Sequence, residues 1–171
     1  MSASSKDSLR SGPDAARNLR VVTVVCTEAV RDACRTRVRG IDTVVLGRAF
    51  ICGQLLMASA KRETERLRIQ IAPGEDVGQV GQILVDVHGN GVGRAALQMP
   101  LPDGHPLHIL VDEPPRPVVA PVVGLPGTLT LTRDLGLTNR YQGHVDLVSA
   151  EIDEDLQAYL ADSEQVASAL R

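Results

Sequence analysis

The order of local patterns along the chain predicts an α+β domain: a largely antiparallel sheet with helices packed on one face. Three observations carry this expectation. A Val-dense run at 19–26 leads into two helical stretches that end before residue 63. The segments that follow alternate or pair as strands, and the chain closes on acids and apolar residues at helical spacing. No repeat of about 20–50 residues is present. The length of 171 residues, with 43% apolar and 23% charged composition, suits one domain with its own core.

Residues 1–18 are Ser-rich, contain Gly12-Pro13 and lack periodic apolar positions. They read as a flexible leader outside a domain that occupies 19–171. Residues 19–26 read as a buried strand, with Thr27 as the N-cap of a helix and Glu28 in its first turn. In 28–39, Val30, Ala33, Cys34 and Arg37 recur at three and four residues, and Gly40 ends the helix. Residues 42–62 are apolar on nearly every face and predict a central helix, in which Gly47 and Gly53 permit close approach of a neighbour.

Leu67, Ile69 and Ile71 alternate with Arg66, Arg68 and Gln70, the pattern of a half-exposed antiparallel strand that Pro73-Gly74 ends. Residues 83–88 and 92–97 flank Gly89-Asn90-Gly91, which suits a tight hairpin turn. The prolines between 100 and 126 restrict pairing to short strands at 107–111 and 118–123. Residues 128–132 and 141–148 read as a second hairpin. Ser149 then precedes a helix with Glu151, Asp153, Glu154 and Asp155 at its start. Its apolar face is Ile152, Leu156, Tyr159 and Leu160, extended by Val166, Ala167 and Leu170.

Composition narrows the function classes. One Phe, two Tyr and no Trp imply an aliphatic core and little means of stacking on nucleotide bases. A net charge of −3 gives no global attraction to phosphate backbones, and Arg31, Arg35, Arg37 and Arg39 read as a solvated helix face. No nucleic-acid partner is expected. The start of the chain lacks the blocks of a signal peptide. Arg48 and Gln54 interrupt the apolar stretch 43–60, where a central Arg costs roughly 2.5–3.5 kcal/mol of membrane insertion. The expectation is a cytoplasmic protein with no membrane partner.

Cys26, Cys34 and Cys52 form no C-x-C or C-x-x-C pair, so they read as small buried hydrophobes instead of metal or dithiol ligands. Gly89-x-Gly91-x-Gly93 lies between two strands and does not open a helix, unlike a phosphate loop. His105-x-x-His108 and His144-x-Asp146 each offer two ligand atoms, but no spacing specifies a third. There is no G-x-S-x-G elbow. The acids from Glu151 to Asp155 point around a helix, and favourable placement at the positive end of its dipole accounts for them. No catalytic, cofactor-binding or metal residues are assigned, and no enzymatic activity is expected.

Three groups of residues carry a family resemblance. They are Leu129-Thr130-Leu131-Thr132-Arg133-Asp134-Leu135-Gly136 followed by Tyr141-Gln142-Gly143, then 151–159, then Ser163-Glu164-Gln165. In order and spacing they resemble the amino-terminal domain of the heat shock protein 33 family. Residues 49–61, Leu67-Arg68-Ile69-Gln70-Ile71 and 85–94 fit the same pattern, so the likeness spans about 20–170. Two stretches depart from it: 72–78 replaces the family's Gly-Asp-Gly-Pro-like turn, and 121–127 replaces a glycine-rich stretch.

The resemblance implies structural roles for Tyr141, Gln142, Gly143, Glu151, Tyr159, Ser163, Glu164 and Gln165. It implies a non-enzymatic, ATP-independent holdase that binds unfolding proteins under stress. In the family, a carboxy-terminal domain with four zinc-binding cysteines supplies redox control by forming disulfides, releasing zinc and unfolding. Those ligands do not occur in this chain. The expectation is therefore a chaperone domain without the zinc/redox-switch domain and without a cofactor. Its expected partners are unfolded or partly folded client proteins, with a homodimer left open. The competing reading is a non-enzymatic protein-interaction or self-association module without general chaperone activity.

Overall fold

A computed structural model of the chain describes residues 6–14, 16–33, 40–74, 78–98, 109–110, 116–136 and 140–170. The elements run β1 (Ser8–Asp14), β2 (Leu19–Val25), α1 (Thr27–Ala33), α2 (Ile41–Met57), β3 (Arg66–Pro73), β4 (Ile83–His88) and β5 (Gly93–Leu97). A short pair, β6 (Ile109–Leu110) and β7 (Arg116–Pro117), precedes α3 (Ala120–Val123), β8 (Gly127–Asp134), β9 (Arg140–Asp146) and α4 (Ile152–Asp162). The main sheet is antiparallel in the order β5-β4-β3-β8-β9, while β1 and β2 form a separate two-stranded ribbon. This is the predicted α+β architecture.

Strand alternation sets the core. Leu67, Ile69 and Ile71 of β3, Ile83, Val85 and Val87 of β4, and Leu129 and Leu131 of β8 are all buried. The register aligns Ile69 with Val85 on one side and Leu131 on the other. A one-residue slip would turn this whole set outward, so burial fixes the pairing. Helix α2 packs across β3, β4 and β5 with Val45, Leu46, Ala49 and Phe50 buried, and α4 packs against α2. A Cβ at Gly53 would come within 2.9 Å of Val87, so glycine there lets the helix approach the sheet, as its position in the apolar stretch implied. In α4, Leu156, Tyr159 and Leu160 are buried together. The opposite sheet face carries Arg66, Arg68, Asp86, Arg94 and Thr132 by register.

Residues 8–14 are not a leader outside the fold. Ser8–Asp14 pairs residue by residue with Leu19–Val25, and the Asp7 carboxylate accepts the N–H groups of Glu28 (3.0 Å) and Ala29 (2.6 Å). Asp7, not Thr27, therefore satisfies the start of α1. The strand is held by ladder bonds and one carboxylate, which a Ser-Gly-Pro composition does not announce. Nor is β2 buried: Leu19, Val21 and Val25 are exposed.

Other boundaries also differ from the sequence reading. Helix α2 stops at Met57, and the backbone groups that follow find other partners: the Arg20 guanidinium donates to the Ala58 carbonyl (3.2 Å), and the Glu65 carboxylate accepts the Lys61 N–H (3.1 Å). Residues 120–123 form a helical turn, not a strand, with Pro121 in its first turn, where its missing N–H costs nothing. Helix α4 begins at Ile152 with Glu151, not Ser149, in the N-cap position. It ends at Asp162, where Gln165 takes a φ of 55° and the Val166 N–H returns to the Leu160 carbonyl at 2.9 Å. The helical positions 34–39 and most of the strand expected at 107–111 lie outside the described residues.

Candidate functional site

The family-motif residues converge where β8, β9 and α4 meet. Gly143 sits on β9, and a Cβ there would collide with the ring of Tyr159 from α4. Tyr159 is buried, and that burial, followed by the nearby Glu164 carboxylate, pushes its hydroxyl above the ordinary range. Glu164 pairs at 3.0 Å with Arg133 of β8, the cross-strand partner of Tyr141. Ser163 closes the last turn, its N–H donating to the Tyr159 carbonyl at 2.8 Å. Gln142 points to the open face opposite Thr132, Gln165 supplies the chain reversal, and Tyr141 is 60% exposed. The cluster docks α4 on the sheet.

Glu151 stands apart from those residues and links three helices. Its carboxylate accepts the Val119 N–H (2.8 Å) and the Ala120 N–H (2.9 Å) at the start of α3, and it forms an ion pair with Arg48 of α2. Arg48 also donates to the Pro117 carbonyl and lies 3.7 Å from Asp153. Asp155 accepts the N–H groups of Val148 (2.7 Å) and Ser149 (2.9 Å), and burial raises its pKa. The acidic run is therefore not explained by the helix dipole alone. Glu151 and Asp155 are both buried and bind particular backbone donors.

Of the candidate ligand residues, only His144 and Asp146 lie among those described. His144 shares a hydrogen bond with Thr130 Oγ1 at 2.9 Å, while His105 and His108 lie outside the described residues. Among the described residues, no group of three or more His, Cys, Asp or Glu side chains is placed to hold a metal ion. Cys52 is buried, and desolvation pushes its thiol up to about 12. Cys26 is also raised, first by burial and then by Asp7. Cys34 lies outside the described residues. No described helix is long and apolar enough to cross a membrane.

The feature that sequence reasoning missed is the β1–β2 ribbon. Register puts Leu19, Val21, Thr23 and Val25 on one face beside Ser8, Arg10, Gly12 and Asp14. Leu9, Leu19, Val21 and Val25 are 44%, 52%, 56% and 42% exposed, so the ribbon concentrates apolar surface that the core does not use. The signal was present as a Val-dense run, but that pattern was read as burial.

Comparison with known proteins places this architecture. The sequence model of the Hsp33 protein family matches residues 7–171. The chain belongs to the Hsp33 family. A 33 kDa chaperonin of Trichodesmium erythraeum is 34% identical over 154 residues, covering 90% of this chain and 46% of that protein. One from Levilactobacillus brevis is 37% identical over 152 residues, covering 88% of this chain and 49% of that protein. The crystal structure of the Thermotoga maritima heat shock protein 33 homologue superposes with a TM-score of 0.72 at 28% identity, covering 93% of this chain and 52% of that one. The chain thus spans about half the length of the curated relatives it matches. The Hsp33 match begins at residue 7, so it takes in the Asp7 cap and the ribbon.

Proposed function

We propose that this Hsp33-family chain is an ATP-independent holdase domain that binds unfolded or partly folded proteins through exposed apolar surface, without catalysis or a cofactor. The observation that carries the reading is the ribbon: a folded domain of this family that leaves Leu19, Val21 and Val25 to solvent on one face presents a surface suited to apolar segments of other chains. Its place of action on this reading is the cytoplasm. Redox control needs thiolates that share a metal and then pair as disulfides. The cysteine spacing and the raised thiols of Cys26 and Cys52 support activity independent of peroxide and zinc.

The test is light scattering of a thermally unfolding client in the presence of reduced chain, peroxide-treated chain and a Cys26, Cys34 and Cys52 triple Ser variant, each first shown to be folded. Equal suppression by all three is expected. Activation only on oxidation, lost in the triple variant, would overturn the switchless reading. A second reading, a protein-interaction or self-association module, is favoured by the outer edge of β9, which has no neighbouring strand among the described residues. No suppression by any of the three, with self-association in sedimentation, would favour that module.

A further inference from the structure

The ribbon offers more than an apolar stripe. Gly12 lies in the middle of β1 opposite Val21, and a Cβ built on it would meet nothing within 4 Å. An open, shallow depression of about 400 Å³ lies at this point, lined by Arg10, Gly12, Asp14, Val21 and Thr23 among others, and forms a notch over Gly12. Arg10, Gly12 and Asp14 alternate in the strand, so they face the same side. Asp14 is engaged at the ribbon's turn, accepting the Ala16 N–H at 3.1 Å and lying 3.5 Å from the Arg17 guanidinium. Arg10 is exposed and makes no ion pair among the described residues.

Charge distinguishes the ribbon from the rest of the chain. Residues 8–25 hold three arginines and one aspartate, a net charge of +2, whereas the chain as a whole carries −3. The area of the patch also limits its occupant. On the Gly12 face, Leu19, Val21 and Val25 present apolar surface on the order of 250 Å². A stable interface between folded partners buries roughly 800 Å² on each side. The patch therefore fits short, rapidly exchanging contacts better than a lasting pairing with a second copy.

We propose that the Gly12 notch seats one apolar side chain of an extended, acid-bearing segment of a partly unfolded protein, with Arg10 meeting the acid. This rests on the holdase reading and names the segment it selects. A strand laid along β1 presents same-face side chains every second residue, about 6.5–7 Å apart. A residue over Gly12 therefore has its neighbour two positions away over Arg10. The favoured pattern is an apolar residue with an acid two positions before or after it.

The experiment measures fluorescence anisotropy of short labelled peptides binding to the full chain. One peptide has a central Leu with a single Glu two positions away, made in both orders, a second has Lys at that place, and a third has Ser at the centre. The variants are Gly12→Val, which fills the notch where the structure has room and suits a strand, and Arg10→Glu. Circular dichroism and thermal melting confirm that both fold. The Glu-bearing Leu peptide should bind the natural sequence about tenfold more tightly than either control. Gly12→Val should abolish that advantage, and Arg10→Glu should transfer it to the Lys-bearing peptide.

Equal binding of the three peptides, or indifference to Gly12→Val, would overturn the notch, whatever the aggregation assay shows. Aggregation suppression measured in parallel separates the two readings. Suppression without peptide selectivity leaves the holdase and removes the notch. Selectivity without suppression keeps the notch and removes the holdase. A dimer in sedimentation that Gly12→Val dissociates, with no peptide binding, would assign the notch to a second copy and overturn the proposal.

Discussion

The ring of Tyr159 lies so close over the backbone of Gly143 that a side chain at residue 143 would occupy the ring's place. This contact seats α4 on β9. Gly143→Ala should therefore lower unfolding free energy by about 1–3 kcal/mol, the cost of overpacking a filled site. In a Tyr159→Leu background the same substitution should cost much less, because the displaced ring is already gone. Urea denaturation of the two single variants and the double variant measures the coupling; strict additivity would show that the ring contact is not the cause.

The Arg48–Glu151 ion pair predicts a second effect. Glu151→Ala removes the main counter-ion of a largely buried guanidinium and also strips the Val119 and Ala120 N–H groups of their acceptor. The expected loss is about 3 kcal/mol, moderated by Asp153 at 3.7 Å from Arg48. Glu151→Gln should lose less, since its amide oxygen can still accept both N–H groups. Equal losses for Ala and Gln, measured by denaturant unfolding, would mean that the charge matters and the α3 hydrogen bonds do not.

Acid should weaken the open face of the sheet. Asp86 accepts two hydrogen bonds from Arg68, at 2.6 and 3.0 Å, and is also bonded by Arg94 at 3.2 Å. The Arg68 hydrogen bonds hold its carboxyl below the ordinary 3.8. A carboxyl with a lowered folded pKa contributes stability that is complete above its unfolded value and is lost as pH falls through the folded value. Asp86→Asn should therefore flatten the fall of the melting temperature below about pH 4. The difference should be small, because Arg68 and Arg94 are 49% and 80% exposed. Identical melting-temperature curves for both proteins would remove this contribution.

Thiol chemistry gives a fourth outcome. With its thiol pushed up to about 12, Cys52 has almost no thiolate near neutral pH and is buried as well. Iodoacetamide treatment of the folded chain followed by peptide mapping should leave Cys52 unmodified until denaturant is added, with Cys26 also slow. Rapid labelling of Cys52 in the folded protein would show that the α2 packing opens readily.

Local patterns in the sequence were sufficient for the sheet core. The alternation of Leu67, Ile69 and Ile71 and the Gly89-Asn90-Gly91 turn depend only on neighbours along the chain, and both formed as read. The words Tyr141-Gln142-Gly143 and Ser163-Glu164-Gln165 likewise identified the family before any contact was known. Their joint purpose, docking α4 on β9, required Gly143 and Tyr159 to be brought together across 16 residues of chain. Tertiary structure alone decided that Ser8–Asp14 is a strand, because Ser, Gly and Pro carry no alternating hydrophobic signal and the stabilising partners are backbone groups of Leu19–Val25. It likewise decided that Glu151 is buried against Arg48, 103 residues away, and that the Val-dense β2 faces water. Which carboxylate is buried, and which valines are not, depends on the donors and surfaces that folding brings to them, and spacing along the chain does not contain that information.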